Sequence, residues 1–301
     1  MTPRAAAVTV PGSTSNLGPG FDTLGLAVSR RLEARFERGN HGLEVVREGT
    51  LSGWHAEGPD LAVDTFRAAF AEEDLPAGRL HLRSDIPVGR GLGSSAAARV
   101  AGAVLARLVQ GERPERTIVL EAAARAEGHP DNAAPAVLGG LVASAWHGDE
   151  LITTSLPLSP AVGFAFAEPG TELRTEVARA ALPSSLPHDR AATAAGRLGL
   201  LLRGLALADG DLIAVGLEDV LHVPYRLPLI TGAERALQAA QEEGAWGATI
   251  SGGGSGLLAL CPPADAGRVA AAMAAAFVAG GAPGGDAFAL RPDPLGYRRV
   301  D

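Results

Sequence analysis

Lysine is missing from this chain of 301 residues, and all 26 of its basic side chains are arginine. Two mechanisms are excluded by that absence. A Walker A phosphate loop needs a lysine, and a pyridoxal phosphate enzyme holds its cofactor on a lysine Schiff base. Any phosphate chemistry in this chain must therefore depend on backbone amides, hydroxyl groups, arginine or a metal ion.

Cysteine and long apolar runs are scarce as well. The single thiol, Cys261, excludes an internal disulfide and lies in the apolar segment Leu257–Cys261, which is typical of a buried strand. The apolar stretch at 269–282 is shorter than the ~20 residues that span a bilayer. Residues 5–8 are too few for the core of a signal peptide. We therefore expect a soluble cytoplasmic protein.

Positive charge is also in deficit. The chain has 34 acidic against 26 basic side chains, a formal charge of −8 and a pI near 5.4. A surface of that sign repels nucleic acid and acidic membranes at physiological salt, so neither is expected as a partner. With 47% apolar and 20% charged residues, the composition is typical of a globular protein with a substantial core.

The periodicity of apolar residues alternates between two and 3.6 along the chain, which predicts an α+β architecture. Turn residues cluster at 157–160 and predict a boundary between an N-terminal domain, residues 1–158, and a C-terminal domain, residues 159–301. When its inserted helices are set aside, the second half has the order β-α-β-β-α-β. That order is the split βαβ pattern of a ferredoxin-like sandwich.

The most informative segment is PVGRGLGSSAA, residues 87–97. Its three glycines allow close backbone approach, and Ser94 and Ser95 are placed to cap a helix whose free amides point at the loop. Such a loop can bind a polyphosphate through amides, while its hydroxyls supply hydrogen bonds or a magnesium ligand. The alternatives are a plain strand-to-helix connector and a G-x-G-x-x-A dinucleotide loop, which the proline after the strand disfavours.

Three other segments are rich in polar groups or glycine: 11–25, 127–132 and 250–256. Each also has a plain structural explanation, namely a surface turn, a solvated helix end and a glycine hairpin. The first segment, PGSTSNLGPGFDTLG, is long for a loop, and its Asn16 and Asp22 could hold a ligand with a hydroxyl and an ammonium group. The second, EGHPDN, places two carboxylates, an imidazole and an amide within six residues.

In this order and at these distances, the N-terminal P-x-S-x-x-N segment, the P-x-x-x-G-L-G-S-S-A-A loop and the late S-G-x-G turn resemble the GHMP kinases. The resemblance covers nearly the whole chain. Within the superfamily it is greatest to the homoserine kinases, on NLGPGFD, on His129 with Asp131 and Asn132, and on the segments 168–183 and 218–226.

The resemblance implies a two-domain GHMP kinase fold, with an N-terminal domain like domain 2 of ribosomal protein S5 and a ferredoxin-like C-terminal domain. It implies transfer of the γ-phosphate of ATP to the hydroxyl of L-homoserine, a step in threonine biosynthesis. It also implies Mg²⁺ as a cofactor and a homodimer.

Roles for individual residues follow from the same resemblance. The ATP-binding loop would consist of Pro87, Val88, Gly89, Arg90, Gly91, Leu92, Gly93, Ser94, Ser95, Ala96 and Ala97. Ser95 and Glu127 would bind magnesium and, with Asn132, form the catalytic set. The substrate site would consist of Asn16, Asp22, His129, Asp131, Asn132, Thr175, Arg179 and Arg226, the last three on the carboxylate. A guanidinium group matches a carboxylate with two parallel hydrogen bonds, which agrees with those roles.

Asn132 stands where other branches of the superfamily look to have a catalytic aspartate. An amide cannot accept a proton at neutral pH, so we expect Asn132 to orient the substrate hydroxyl. Two positions depart from the family pattern. The late turn reads SGGGS in place of SGSGP, and Asp60 replaces an asparagine that is common near the adenine.

Three alternative functions stay open from the sequence. One is a GHMP kinase for a mevalonate-like acid or a sugar; a mevalonate-type enzyme should have aspartate in place of Asn132 and often a lysine near the first motif, and this chain has neither. A catalytically silent nucleotide-binding regulator would be expected to lose Ser95, Glu127 or one of the substrate-site arginines. An NAD-dependent oxidoreductase depends on the dinucleotide pattern alone.

Overall fold

The computed structural model describes residues 4–53 and 60–300, which form eleven strands and ten α-helices. In chain order these are β1 Ala5–Ser15, β2 Leu24–Arg38, β3 Leu43–Gly49, α1 Leu61–Arg67, β4 Gly78–Ser84, α2 Ser94–Gln110, α3 Arg116–Glu127, α4 Ala133–Leu138, β5 Leu141–His147, β6 Glu150–Leu156, β7 Gly163–Ala167, α5 Thr175–Ala180, α6 His188–Leu207, α7 Gly210–Leu217, α8 Val223–Arg226, α9 Ala233–Glu242, β8 Gly247–Ile250, β9 Leu257–Cys261, α10 Ala266–Ala279, β10 Ala287–Leu290 and β11 Arg298–Val300. Within the described residues, no helix has the length and apolar character that a membrane crossing needs.

Seven strands form the first sheet, in the order β11-β1-β2-β4-β3, with β5 added beside the start of β2 and β6 beside β5. Among the described strands, only β3 and β4 pair in parallel. The ladder between β1 and β2 shifts register after Pro11 and then continues to Ser15. The expectation that a loop begins at Pro11 was therefore wrong for residues 11–15, because β2 supplies partners for their backbone groups.

Helix α2 follows the glycine-rich loop and packs against β1 and β2. Val100, Val104 and Leu108 are buried, as the helical periodicity predicts. The helix is preceded by Gly93 in the left-handed conformation, and no side chain caps it. The prediction that the two serines cap α2 was wrong, since they lie in its first turn and line a cleft.

The second sheet has four antiparallel strands in the order β10-β7-β9-β8. Helix α10 connects β9 to β10, and helices α5 to α9 lie between β7 and β8. The predicted β-α-β-β-α-β order is confirmed. Cys261 is buried at the end of β9, where burial raises the pKa of its thiol to about 11, which agrees with a structural role.

The main buried cluster joins the two sheets, because Val10 and Phe36 belong to the same cluster as Phe164 and Leu258. A second buried cluster lies under α9 and α10. The last strand, β11, returns to pair with β1 of the first sheet. The boundary between residues 158 and 159 stays a prediction, although the turn between β6 and β7 does separate strands of different sheets.

Candidate active site

A cleft of about 420 Å³ contains most of the predicted site residues. Three glycines of the loop line it with their backbone: Gly89, Gly91 and Gly93. The polar side chains in the lining are those of Asn16, Asp22, Ser94, Ser95, Glu127, His129, Asp131, Asn132, Thr175, Arg179 and Arg226. An apolar part of the wall is formed by Leu32, Leu51, Leu61 and Leu82. The cleft is large enough for a small-molecule ligand, and one part of it is apolar while another is highly charged.

The glycine-rich loop is packed so closely that two of its glycines cannot carry a side chain. Gly91 and Gly93 have φ of 80° and 64°. A Cβ on Gly91 would lie 2.0 Å from the carbonyl oxygen of Ser251, and one on Gly93 would lie 2.3 Å from Oγ of Ser13. The loop ends in the first turn of α2, whose free amides form an anion-binding end.

Only part of the predicted loop lines the cleft. Val88, Gly89, Gly91, Gly93, Ser94 and Ser95 do so. The side chains of Leu92, Ala96 and Ala97 are fully buried in the core, and Pro87 is buried as well. The Arg90 guanidinium hydrogen-bonds to Glu168, Gly170 and Val88, so it is held by protein groups.

Ser95 and Glu127 meet where α2 begins and α3 ends. Oγ of Ser95 donates to Oε2 of Glu127 over 2.6 Å, and Nε of Arg99 donates to Oε1 over 2.5 Å. Arg99, one turn after Ser95 on α2, received no role from the sequence. The spacing of Ser95 and Arg99 on one helix face was the available signal.

Asn132 lies directly before α4, and two serines of β1 hold its side-chain amide. Oγ of Ser13 donates to Oδ1 of Asn132 over 2.9 Å, and Nδ2 of Asn132 donates to Oγ of Ser15 over 2.9 Å. All three side chains are buried. The orientation of the Asn132 amide is therefore fixed, which suits a group that positions a ligand.

Asp22 and Arg179 form a two-point ion pair across the cleft, with distances of 3.0 and 2.7 Å. Their hydrogen bond raises the pKa of Arg179. Nearby, Nδ1 of His129 lies 2.5 Å from Oδ1 of Asp131. Burial lowers the pKa of His129, but the hydrogen bond and charge of Asp131 outweigh burial, so the pKa is raised. The second oxygen of Asp131, Oδ2, is buried and has no hydrogen-bond partner in the described part of the chain.

Arg226 is the largest fully buried side chain of the described residues, at 1% exposed. Its Nε donates to the carbonyl oxygen of Ala178 over 3.2 Å and its Nη1 to that of Gly252 over 3.3 Å. Burial, followed by the charge of Arg179, lowers its pKa. No carboxylate of the described residues lies within 4 Å of its guanidinium, so the positive charge is not neutralised by an ion pair.

His222 contacts the Arg226 guanidinium, and the sequence did not predict it as a site residue. Its Nε2 donates to the carbonyl oxygen of Gly18 over 3.0 Å, so the unprotonated Nδ1 faces Nη1 of Arg226 at 3.5 Å. The ring of Phe21 stacks on His222 and lies 5.1 Å from the Arg226 guanidinium carbon. The segment EDVLHVPYR, which contains His222, was the signal in the sequence.

Three further predicted positions have distinct surroundings. Asn16 donates from Nδ2 to the carbonyl oxygen of Gly252 over 2.7 Å and accepts from the Asp22 amide over 3.0 Å, so it connects the first loop to the late turn. Thr175 lines the cleft as the first residue of α5. Asp60 caps α1 and pairs with Arg47, and both line the cleft.

Comparison with known proteins agrees with this arrangement. The sequence model of the GHMP kinase N-terminal domain matches residues 60–140, and that of the GHMP kinase C-terminal domain matches residues 190–279. Homoserine kinase of Moorella thermoacetica is 40% identical over 273 residues, which is 90% of this chain and 92% of that protein. Homoserine kinase of a Synechococcus species is 40% identical over 283 residues, 91% of this chain and 89% of that protein.

Solved structures show the same relationship. The crystal structure of homoserine kinase from Cytophaga hutchinsonii has a TM-score of 0.85 and 28% identity, and covers 100% of this chain and 98% of that one. Mevalonate kinase of L. major, with a TM-score of 0.73, 17% identity and 95% of each chain covered, shows the shared fold alone. The predicted two-domain fold is confirmed. The chain belongs to the GHMP kinase family, in the branch that contains these homoserine kinases.

Proposed function

We propose that this chain is a homoserine kinase, which converts ATP and L-homoserine to ADP and O-phospho-L-homoserine in threonine biosynthesis. One observation carries the choice of acceptor: among the residues that the structure describes, Arg226 is buried with no carboxylate within 4 Å, and Oδ2 of Asp131 in the same cleft has no hydrogen-bond partner. A buried charge is stable only when it is paired, so the cleft favours a ligand with its own carboxylate and ammonium group. The relatives named homoserine kinase support the same acceptor.

The glycine-rich loop would bind the triphosphate of ATP through its backbone. Gly89, Gly91 and Gly93 line the cleft, and the first turn of α2 adds free amides and the positive end of the helix dipole. These donors need no lysine. The apolar part of the wall, around Leu61 and Leu82, would suit the flat face of a purine.

The residues present fit a magnesium ion. The Ser95 hydroxyl and the Glu127 carboxylate bring oxygen donors within 2.6 Å of each other, and oxygen is the ligand type that magnesium prefers. Arg99 holds the other oxygen of Glu127, which leaves Oε2 directed at Ser95. A bound ion would neutralise charge on the transferred phosphoryl group.

In the transfer step, Asn132 orients the hydroxyl of L-homoserine, because Ser13 and Ser15 fix its amide and it cannot serve as a base. Arg179, Thr175 and Arg226 hold the carboxylate, and Asp22, His129, Asp131 and Asn16 surround the ammonium group and the hydroxyl. Arg179 and Asp22, which pair with each other in this structure, would exchange that pair for the carboxylate and the ammonium group of the ligand. A bond forms between the hydroxyl oxygen and the γ-phosphorus as the bond from that phosphorus to ADP breaks. The hydroxyl proton passes to an oxygen of the transferred phosphate. Alignment and charge neutralisation are the main requirements of such a transfer.

We also propose that the protein is cytoplasmic and forms a homodimer. The resemblance to the family implies both the location and the dimer. Gel filtration with light scattering measures the mass in solution, and a monomer at micromolar concentration would contradict the dimer.

An acceptor panel tests the proposed function. With Mg-ATP, purified protein should release ADP rapidly with L-homoserine and far more slowly with mevalonate, galactose or L-serine. Two analogues test the contributions of the ammonium group and the carboxylate separately: 4-hydroxybutyrate lacks the ammonium group and 2-aminobutane-1,4-diol lacks the carboxylate. Both should be poor acceptors, and phosphorus NMR should identify the product. Equal turnover of all acceptors, or none of L-homoserine, would contradict the assignment.

A further inference from the structure

Arg90 occupies the middle of the glycine-rich loop, and its guanidinium donates to three groups of the protein. Its Nε donates to Oε2 of Glu168 over 2.9 Å, and its Nη2 donates to the carbonyl oxygen of Gly170 over 3.3 Å. Nη1 donates to the carbonyl oxygen of Val88 over 3.3 Å. All three donor nitrogens of the guanidinium are therefore engaged.

Glu168 is buried at 6% exposed, directly after β7. Besides Arg90, it accepts from the backbone amide of Gly170 over 2.6 Å and from that of Asp286 over 2.9 Å. The carboxylate thus connects the loop, the end of β7 and the residue before β10. Breaking one side of such a buried pair has a large effect, because the other charge is left uncompensated.

The backbone of the same loop is held from the second sheet as well. The amide of Gly256 donates to the carbonyl oxygen of Arg90 over 3.2 Å, and Oγ of Ser251 donates to that of Gly91 over 2.6 Å. These contacts fix two carbonyl groups of the loop, and with them the peptide planes that carry the amides of Gly91 and Leu92.

The segment that begins at Glu168 leads directly to the predicted acceptor side of the cleft. Gly170 bonds to Arg90, and Thr175 and Arg179 of α5 line the cleft only a few residues later. A short stretch of backbone therefore joins the anchor of the glycine-rich loop to the residues assigned to the acceptor carboxylate.

We infer that Arg90 is a positioning residue: through Glu168 it sets the place of the glycine-rich loop relative to α5 and does not itself bind phosphate. The inference rests on the proposed function, in that the loop is taken to bind the nucleotide. The alternative is that Arg90 leaves Glu168 and binds phosphate directly, as arginine does in many sites. The two roles differ in whether the effect of Arg90 depends on Glu168.

A double-mutant cycle distinguishes these roles. The variants are Arg90→Gln, Glu168→Gln and the double variant, and the measurement is the dissociation constant of Mg-ADP by calorimetry. Each single change should raise that constant roughly tenfold or more, the size expected for loss of a hydrogen bond to a charged group. The Mg-ADP dissociation constant of the double variant should not exceed the larger of the two single-variant constants. The inference would be overturned if Arg90→Gln raised the Mg-ADP dissociation constant by the same factor in the native and the Glu168→Gln backgrounds. It would also be overturned if neither single change altered that constant.

Arg90→Lys provides a second test that keeps the positive charge opposite Glu168 and so protects folding. Lysine can donate to Glu168 but cannot also span Gly170 and Val88. When Glu168 is present, the Mg-ADP dissociation constant of Arg90→Lys should lie between those of the native protein and Arg90→Gln. In the Glu168→Gln background, the constants of Arg90→Lys and Arg90→Gln should be equal. An advantage of lysine that persists without Glu168 would mean direct phosphate binding and would overturn the inference.

Arg268→Gln is the matched control, because Arg268 is an exposed ion-pairing arginine of α10. It should leave the Mg-ADP constant unchanged, and far-UV circular dichroism should show native helix content in every variant. Turnover of L-homoserine by the native protein is measured separately. A native protein that binds Mg-ADP without phosphorylating L-homoserine would contradict the proposed function and still allow the cycle to test Arg90.

Discussion

Arg226 combines almost complete burial with the lack of a carboxylate partner among the described residues. We predict that Arg226→Gln raises KM for L-homoserine about 10- to 100-fold, since a hydrogen bond to a charged group contributes about 1.5–3 kcal/mol. The change in kcat should be much smaller, because the carboxylate is bound equally in the ground and transition states. Steady-state kinetics, with Arg268→Gln as the control, measure both constants. A fall in kcat at unchanged KM would contradict this role.

Glu127 should behave differently from Arg226. Glu127→Gln keeps the size of the side chain but removes the negative charge beside Ser95. We predict a fall in kcat of about 100-fold, within the range typical of lost transition-state electrostatics, and a higher magnesium concentration for half-maximal rate. A magnesium titration of the initial rate measures both. An unchanged magnesium requirement would exclude Glu127 as a ligand.

His222 gives a prediction about stability. Burial chiefly, opposed by Asp219 and assisted by Arg226, lowers its pKa to about 4 from the usual 6.5. As pH falls below 6.5 the unfolded chain therefore binds a proton before the folded one does, so the free energy of unfolding decreases. The loss from His222 as pH falls from about 6.5 to about 4 is on the order of 3 kcal/mol, and well above pH 6.5 this residue adds no pH dependence.

The variant His222→Gln isolates that effect from general acid denaturation. Glutamine can still donate to the carbonyl oxygen of Gly18 but does not titrate. Urea unfolding at pH 7 and pH 4.5 should show a larger loss of stability for the native protein than for the variant. Equal losses would mean that His222 is not the group responsible.

Single residues were predicted unevenly. Asn132, Glu127 and Arg226 lie in segments that resemble the family, so their place in the cleft could be anticipated. Arg99 and His222 were missed although their spacing and segment offered a signal, because an arginine on a helix is normally solvated and a lone histidine is normally structural. Their importance comes from the side chains that they contact, Glu127 and Arg226.

At the scale of elements, the glycine-rich loop and the turn after β8 depend on each other. In Gly91→Ala the new Cβ would meet the carbonyl oxygen of Ser251 while the residue keeps a positive φ. We predict a loss of about 2–5 kcal/mol in the free energy of unfolding, from left-handed strain plus overpacking. KM for ATP should rise as well, because the clash shifts the loop.

Gly148→Ala is the control for that prediction. Gly148, between β5 and β6, has φ of 61° and open space where a Cβ would stand. The Gly148→Ala variant should lose only about 1–2 kcal/mol in the free energy of unfolding, and its KM for ATP should not change. Urea unfolding and steady-state kinetics compare the two, and equal losses of stability would contradict the close approach at Gly91.

Elements with a clear local pattern were anticipated from the sequence. The buried stripe of α2 and the strand and helix order of the second half follow apolar periodicity and were predicted. Strand β2 was missed. Residues 24–28 are all buried and do not alternate, but residues 32–37 alternate between buried and exposed and could have been recognised. Helix α4 has only six residues, too few for a helical period to be recognised.

At the scale of the whole molecule, the main core cluster is continuous between the two sheets. We predict that the sheets unfold in one transition despite the chain length. Trp146 on β5 and Trp246 beside β8 pack against that cluster and report on different sheets. In each variant that keeps only one of them, with Trp54 also replaced by phenylalanine, the urea midpoint from tryptophan fluorescence should equal that from far-UV circular dichroism. Different midpoints within one variant would show that the sheets unfold independently.

The sequence by itself determined the fold family, the glycine-rich loop and the exclusion of lysine chemistry. These depend on local properties: the φ angles that glycine allows, the period of apolar residues and the set of available side chains. Only the tertiary structure decided which polar groups pair. Asn132 meets Ser15 across 117 residues, Arg179 meets Asp22 across 157, and Arg90 meets Glu168 across 78. Such pairs form because the helices and the two sheets pack around one cleft, and no local pattern encodes the distance between residues so far apart in the chain.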